Sequence, residues 1–223
     1  MPEIAVVADC PFGCDPDDSC GACAARRKAG ADLPVAHRRV RIVTLPLNAT
    51  EDRQSFGPRG LPVIDGKHIA PFRANPGTTE RFISETHAGK LLPSAPFRAP
   101  RLAYRDVAGF GNRRTLIAAI VPRDVVTTHT LFCLRNALPA EQQAFLCALF
   151  NSSSLNRMVR MLMGSHVTTG LVEHLPAPLW TGARDQQRLA ELARQLGEHP
   201  APADSQARQM QQEIDERVGR WYS

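Results

Sequence analysis

The chain has 223 residues, of which 43% are hydrophobic, with 18 prolines and 15 glycines. This composition allows one substantial core built from short elements and many loops. The longest apolar runs are too short to cross a bilayer, and Glu3 and Asp9 stand where a signal peptide would be basic. We therefore predict a cytoplasmic protein with no membrane partner.

The net charge of +5 is unevenly distributed, because residues 67–114 hold nine basic and three acidic side chains. A basic band suits a phosphate backbone, since each cation that neutralises a phosphate releases a counterion. The cations are mostly Arg, with only three Lys in the chain. That bias suits bidentate phosphate contacts, but GC-rich coding would also produce it.

Residues 1–45 contain four closely spaced cysteines in a setting of Asp, Gly, Pro and Ser: Cys10, Cys14, Cys20 and Cys23. Four thiolates could hold zinc tetrahedrally and order a segment with little core. The spacing is poor for a zinc finger, because ligand pairs usually lie a dozen or more residues apart. We predict a loosely ordered extension. Its four cysteines either bind zinc or have no common role, and the sequence leaves both interpretations open.

Residues 46–180 form the second predicted domain, and its first strong strand signal is the apolar run Leu61–Ile64. Lys67 and His68 follow this run. At the end of a strand they could reach a phosphate or a base edge. Strands also end in polar residues for purely structural reasons.

Three further strands are predicted between Arg101 and Leu134, with Pro122-Arg123-Asp124 as a hairpin turn between the second and the third. Arg105 and Asp106 should point to opposite faces of the first strand. On the third strand, alternation places either Thr127 with His129 or Thr128 with Thr130 on the solvent face.

Helical spacing over residues 139–163 predicts a long helix, which the insert 151–154 should kink or divide. A loop containing His166 follows, but no nucleophile elbow or Ser-His-acid order accompanies it. Residues 181–223 should form a tail of two amphipathic helices, with Trp221 and Tyr222 docked on the main domain or on a partner. The predicted fold class is α+β, with a small, mostly antiparallel sheet packed by the long helix.

Several segments resemble the carboxy-terminal target-recognition domain of TaqI-type adenine-specific DNA methyltransferases and type IIG restriction-modification enzymes. They are Arg-Leu-Ala-Tyr-Arg-Asp-Val-Ala from Arg101, the strands that follow it, Gly-Lys-His-Ile from Gly66, the Gly164-Ser165-His166 loop and the last helix. The resemblance spans residues 47–222. Ser165 stands where the family usually has threonine.

The resemblance implies sequence-specific binding of double-stranded DNA. Chemistry and resemblance together assign DNA contacts to thirteen residues: Lys67, His68, Arg101, Arg105, Arg113, Arg114, Thr127, Thr128, His129, Ser165, His166, Thr168 and Thr169. Neither the family's cofactor-binding glycine loop nor its Asn-Pro-Pro-Tyr or Asn-Pro-Pro-Phe motif occurs in the chain. We therefore assign no catalytic residue and no cofactor here.

S-adenosylmethionine and methyl transfer to adenine would belong to a catalytic domain that these 223 residues lack, such as a separately encoded methyltransferase subunit. Whether the chain takes part in an enzyme is left open. Two alternatives remain at this point: an inert fragment of a methyltransferase, and a zinc-binding interaction or scaffold protein.

Overall fold

A computed structural model describes residues 42–44, 47–107, 114–134, 138–164, 166–178, 180–201 and 204–222. Some of the predicted sites lie outside these ranges: the four amino-terminal cysteines, Arg113 and Ser165. Within the described residues the chain is an α+β structure, which confirms the predicted fold class.

Four strands form the first sheet, in the order β1, β10, β7, β8, with every neighbouring pair antiparallel. Their bounds are Ile42–Thr44 for β1, Arg101–Arg105 for β7, Ala118–Val121 for β8 and Leu131–Leu134 for β10. The strand that carries the family resemblance, β7, is thus paired on both edges. Its first four residues are buried, and Arg105 at its end is partly exposed.

A smaller second sheet has the order β2, β6, β3, β9, in which β3 and β9 run parallel. Its strands are β2 (Phe56–Gly57), β3 (Leu61–Ile64), β6 (Phe82–Ile83) and β9 (Val126–Thr127). Between them in the chain, β4 (Ile69–Ala70) and β5 (Arg73–Ala74) form a separate antiparallel pair.

Six α-helices occur in the described part of the chain. They are α1 (Glu85–Leu91), α2 (Ala140–Phe150), α3 (Ser153–Leu162), α4 (Thr169–Glu173), α5 (Arg184–Glu198) and α6 (Ser205–Gly219). None of them is long and apolar enough to cross a membrane.

The core consists of three apolar clusters separated by the sheets. The largest lies between the first sheet and the helices, and includes Leu102 and Tyr104 of β7. The second lies between β7, β8, β10 and the β3–β9 region, and includes Ala103. The third includes Val63, Ile83 and Phe97. Alternate side chains of β7 therefore enter different layers, as strand geometry requires.

The predicted division of the long helix is confirmed. The helix α2 ends at Phe150, and Ser152 caps α3 by accepting a hydrogen bond from the Leu155 backbone N–H (3.3 Å). Serine competes with the helical backbone for hydrogen bonds, which makes it a good helix start and a poor helix interior.

The tail also folds as predicted into two helices, α5 and α6. Their apolar stripes enter the largest cluster beside α2, so the hydrophobic core is continuous across the predicted boundary at residue 180. Trp221 packs on the Phe145 ring, with centroids 6.0 Å apart, and the Tyr222 hydroxyl donates to the Pro176 carbonyl (2.6 Å). Trp221 and Tyr222 are thus docked on the main domain.

An ion-pair network joins α5 to α6. Arg188 donates two hydrogen bonds to Glu213, both of 2.9 Å, and Glu213 also accepts from Arg217 (2.8 Å). The hydrogen bonds from Arg188 are the main reason that the pKa of Glu213 falls to about 2. This contribution to stability is present above the ordinary carboxyl pKa and is lost as the pH falls towards 2.

The predicted hairpin between β8 and the following strand is wrong. A turn does follow Pro122, but β9 then pairs with β3 in the second sheet, and the antiparallel partner of β8 is β7. The turn moves the chain from one sheet to the other. Nothing local in the sequence marks this change, because the β3–β9 pairing joins segments about sixty residues apart.

The predicted single strand over residues 125–134 is also wrong, because a turn at His129 and Thr130 divides it into β9 and β10. The turn is held by three backbone bonds: Thr128 N–H to the Ile64 carbonyl, His129 N–H to the Leu47 carbonyl and Leu131 N–H to the Thr128 carbonyl. Strand alternation therefore does not apply across it, and Thr127 and Thr128 are both fully buried.

Candidate nucleic-acid interface

Four of the residues predicted to contact DNA are buried, and the first is His68. Only 4% of its surface is exposed. His68 closes the short helical turn Gly66–His68 by placing its Nδ1 atom 2.8 Å from Asp65 Oδ1 and 3.1 Å from the Asp65 backbone nitrogen. Burial opposes ionisation of Asp65, but the charges of His68 and Arg81 hold its pKa below the ordinary value. His68 orders this turn and is removed from the set of surface contacts.

Arg101, Thr127 and Thr128 are the other three, and the exposed fractions are 6%, 0% and 0%. Arg101 lies on the same face of β7 as Ala103, between the two sheets, because residues two apart on a strand share a face. Its Nη2 donates to the Val125 carbonyl (2.8 Å) and to Thr127 Oγ1 (3.2 Å). The predicted DNA contacts by Arg101 and Thr127 are therefore corrected to contacts that join the two sheets. The buried Thr128 hydroxyl instead hydrogen-bonds to the Thr130 hydroxyl within the turn (3.1 Å).

The Arg101 guanidinium carries a charge into this layer, and its Nε and Nη1 atoms have no hydrogen-bond partner among the described residues. A buried charge without a carboxylate partner pays a large desolvation cost. We therefore expect Arg101→Met to leave the free energy of unfolding unchanged or to raise it, and to leave DNA affinity unchanged. Arg101→Ala, which leaves a cavity, should lower the stability by about 2 kcal/mol.

Urea denaturation of the two variants checks this prediction. If Arg101→Met lost more than about 1 kcal/mol, the guanidinium would be a net stabilising group. If it lost DNA affinity while keeping its stability, the original assignment of Arg101 to DNA contact would be restored.

Seven other predicted contact residues lie in the described part of the chain: four share one surface, Thr168 and Thr169 begin α4, and Arg114 lies in a cleft. We define the strand-end surface by Lys67, Arg105, His129, Thr130 and His166. Lys67, His129 and His166 are exposed there, and Arg105 and Thr130 are partly exposed. Four separate segments thus meet at the ends of the strands.

Hydrogen bonds hold these segments in register. The Gly66 N–H donates to Thr130 Oγ1 (3.0 Å), and the Asp106 N–H donates to the Thr130 carbonyl (3.1 Å). A Cβ atom on Gly66 would lie 3.8 Å from the Arg105 side chain, so the Lys67 turn rests beside Arg105. The turn at His129 and Thr130 therefore connects the Lys67 turn to the end of β7, where Arg105 lies.

The loop after α3 joins the same surface through Asp106. The Val167 N–H donates to the Asp106 carbonyl (2.9 Å), and His166 Nδ1 lies 3.3 Å from Asp106 Oδ2. Asp106 thereby orients an exposed imidazole. Two residues later, Thr168 uses its hydroxyl to cap α4 by accepting from the Leu171 N–H (3.3 Å), and Thr169 begins that helix.

Arg114 lies in a different place, a cleft of about 1140 Å³ between α3, α6 and the segment Ala70–Arg73. It donates to Gln211 Oε1 (2.7 Å) on α6. Four other arginines line the same cleft: Arg73, Arg157, Arg160 and Arg208. These four reach the cleft only through tertiary packing of α3, α6 and the segment Ala70–Arg73.

Comparison with known proteins finds no protein family whose profile matches the chain. Over 54 residues it is 43% identical to a magnesium-chelatase subunit ChlI homolog of Methanocaldococcus jannaschii, which covers 24% of this chain and 14% of that protein. Magnesium-chelatase subunit ChlI of Anabaena variabilis is 46% identical over 56 residues, with 24% and 17% covered. The chain thus spans less than a fifth of the length of these curated relatives.

A solved structure from a study of complex assembly and conformational transition of the type I R-M system aligns with 86% of this chain and 44% of its own. The sequence identity is 17% and the TM-score is 0.46. A TM-score below 0.5 does not establish a common fold.

Proposed function

We propose that this chain binds duplex DNA sequence-specifically, as the target-recognition part of an adenine-specific DNA methyltransferase of a restriction-modification system. Methyl transfer would be carried out by a catalytic domain or subunit outside these 223 residues. The observation that carries the proposal is the strand-end surface, where segments from four parts of the chain bring predicted contact residues together. The resemblance of β7 and its neighbours to target-recognition domains supports the same role.

The chemistry of the surface suits two kinds of contact. Lys67 and Arg105 can pair with phosphates, which fix the register of a protein on the duplex. The exposed imidazoles of His129 and His166 can donate to or accept from base edges, which carry the sequence information. Asp106 holds His166 through its ring nitrogen, so this imidazole is presented in a fixed orientation.

Fluorescence anisotropy with short labelled duplexes tests the proposal. Wild-type affinity should fall steeply between about 50 and 200 mM salt. The variant Lys67→Gln/Arg105→Gln should bind at least tenfold more weakly, and the slope of log affinity against log salt should decrease by about 2. Absence of salt-sensitive binding to any duplex pool would overturn the proposal.

The matched control is Arg184→Gln/Arg194→Gln on α5, which removes two exposed charges that make no ion pair with any described residue. Its affinity should stay within about twofold of wild type. A second arm adds the product of an adjacent methyltransferase-like gene with S-adenosylmethionine. Methylation of adenine only in the presence of both proteins would identify this chain as the recognition subunit.

The segment shared with ChlI favours a second candidate function, association with a magnesium-chelatase type of assembly. The match is 43–46% identical but concerns only about a quarter of the chain. Size-exclusion chromatography of this chain with purified ChlI of Anabaena variabilis tests it. Co-elution at a fixed stoichiometry would support this function, and separate elution would reject it.

A further inference from the structure

The arginine cleft, defined by Arg73, Arg114, Arg157, Arg160 and Arg208, is separate from the strand-end surface in its lining residues. Its walls come from α3, α6 and the segment Ala70–Arg73, and apolar atoms of Ile117 and Leu196 contribute to the lining. Five arginines thus line one open cleft. Among the described residues that line it, two are acidic, Asp215 and Glu216.

Neutral groups already hydrogen-bond both carboxylates. Asp215 Oδ1 accepts from the Ser153 N–H (2.8 Å) and from Gln211 Nε2 (3.1 Å), and Glu216 Oε1 accepts from Gln212 Nε2 (2.8 Å). The acids therefore cap α3 and brace α6. They do not form ion pairs with the cleft arginines in the described part of the chain.

Two of the arginines are held in place by the cleft walls. Arg114 donates to Gln211 Oε1, and Arg160 Nε donates to Thr115 Oγ1 (3.2 Å). In contrast, Arg73, Arg157 and Arg208 form no hydrogen bond or ion pair through their side chains with any described residue, and Arg157 and Arg208 are exposed. The cleft thus combines oriented guanidinium groups with guanidinium groups that a ligand could still bind.

The spacing of these cations suits an extended polyanion. Arg157 and Arg160 stand three residues apart on one face of α3, and Arg208 projects from α6, the helix that packs beside it. Guanidinium groups bind phosphate oxygens through paired N–H donors and are always charged. Several such groups on two packed helices suit the repeated phosphates of a polyanion better than a single small anion.

We propose that the arginine cleft binds the phosphodiester backbone of a nucleic acid, independently of base sequence. This inference rests on the proposed DNA-binding function, and it adds a second contact region to that function. The strand-end surface would supply the sequence preference, and the arginine cleft would supply affinity for every sequence. Residues 108–113, which lie outside the described ranges, connect the two regions along the chain.

The test uses the full chain with Arg157→Gln/Arg208→Gln, since both side chains are exposed and neither holds the fold. We expect at least a tenfold loss of affinity at 100 mM salt for all duplex sequences alike, and a decrease of about 2 in the salt slope. Arg184→Gln/Arg194→Gln again serves as the charge-matched control. Equal thermal midpoints of the three proteins would show that folding is unchanged.

The outcomes separate this inference from the proposed function. If the cleft variant loses binding and Lys67→Gln/Arg105→Gln binds normally, the arginine cleft is supported as a DNA contact region and the strand-end surface is excluded as one. Arg157-dependent binding of a single strand, with no duplex binding by wild type, supports the cleft and overturns duplex recognition. If the cleft variant binds duplex DNA as tightly as wild type, the proposal that the arginine cleft binds the phosphodiester backbone is overturned. It is also overturned if the cleft arginines are needed for binding of ATP and not of any nucleic acid.

Discussion

Replacing Asn156 with alanine is expected to lower the free energy of unfolding by about 3 to 5 kcal/mol. Its Oδ1 accepts from the Thr115 and Leu116 N–H groups (both 2.8 Å), and its Nδ2 donates to the Phe150 and Ser152 carbonyls (2.9 and 3.0 Å). Asn156 is 7% exposed, so water cannot replace these partners. A buried N–H left without an acceptor costs about 1 to 3 kcal/mol.

Urea denaturation of Asn156→Ala measures this loss. The matched control is Asn75→Ala, because Asn75 is exposed and its side chain makes no cap hydrogen bond. That control should stay within about 0.5 kcal/mol of wild type. A loss below about 1 kcal/mol in Asn156→Ala would show that the surrounding backbone finds other partners.

The position of Asn156 also affects the arginine cleft. Its side chain connects Thr115 and Leu116, which follow Arg114 and precede β8, to the break between α2 and α3. Asn151 makes a parallel connection, since its Oδ1 accepts from the Ala118 N–H (3.2 Å) and its Nδ2 donates to the Ala118 carbonyl (2.8 Å). These two amides hold the helical layer on the edge strand of the first sheet.

Deleting residues 181–223 is expected to abolish cooperative unfolding altogether. Nine buried residues of this segment belong to the largest core cluster: Leu189, Ala190, Leu192, Ala193, Leu196, Ala207, Met210, Ile214 and Val218. Without them the helix α2, which is buried along nearly its whole length, would expose an apolar face to water. Circular dichroism and thermal melting of the truncated chain check this expectation.

A point variant gives a graded measure of the same packing. Leu192 is fully buried on α5, and Leu192→Ala should cost about 2 to 5 kcal/mol. Two residues along the same helix, Arg194 is exposed, and Arg194→Ala should cost less than about 0.5 kcal/mol. Retention of a cooperative transition by the truncated chain would show that residues 46–180 form an independent domain.

The sequence by itself determined the features that depend on neighbouring residues. The division of the long helix at Asn151 and Ser152 follows from local competition for hydrogen bonds, and the two tail helices follow from apolar spacing. The α+β class and the strand at Leu61–Ile64 were predictable for the same reason. The docking of Trp221 and Tyr222 followed from their preference for partial burial.

Only the tertiary structure decided which polar side chains reach the surface. Thr127, Thr128 and Arg101 looked like a polar edge, but β9 pairs with a strand about sixty residues earlier and buries them between two sheets. The placement of Arg73, Arg114 and Arg208 around one cleft likewise depends on how α6 packs against α3 and α5. Contacts between distant segments depend on how the whole chain buries its apolar surface. A local pattern of residues therefore does not predict which distant segments will pair.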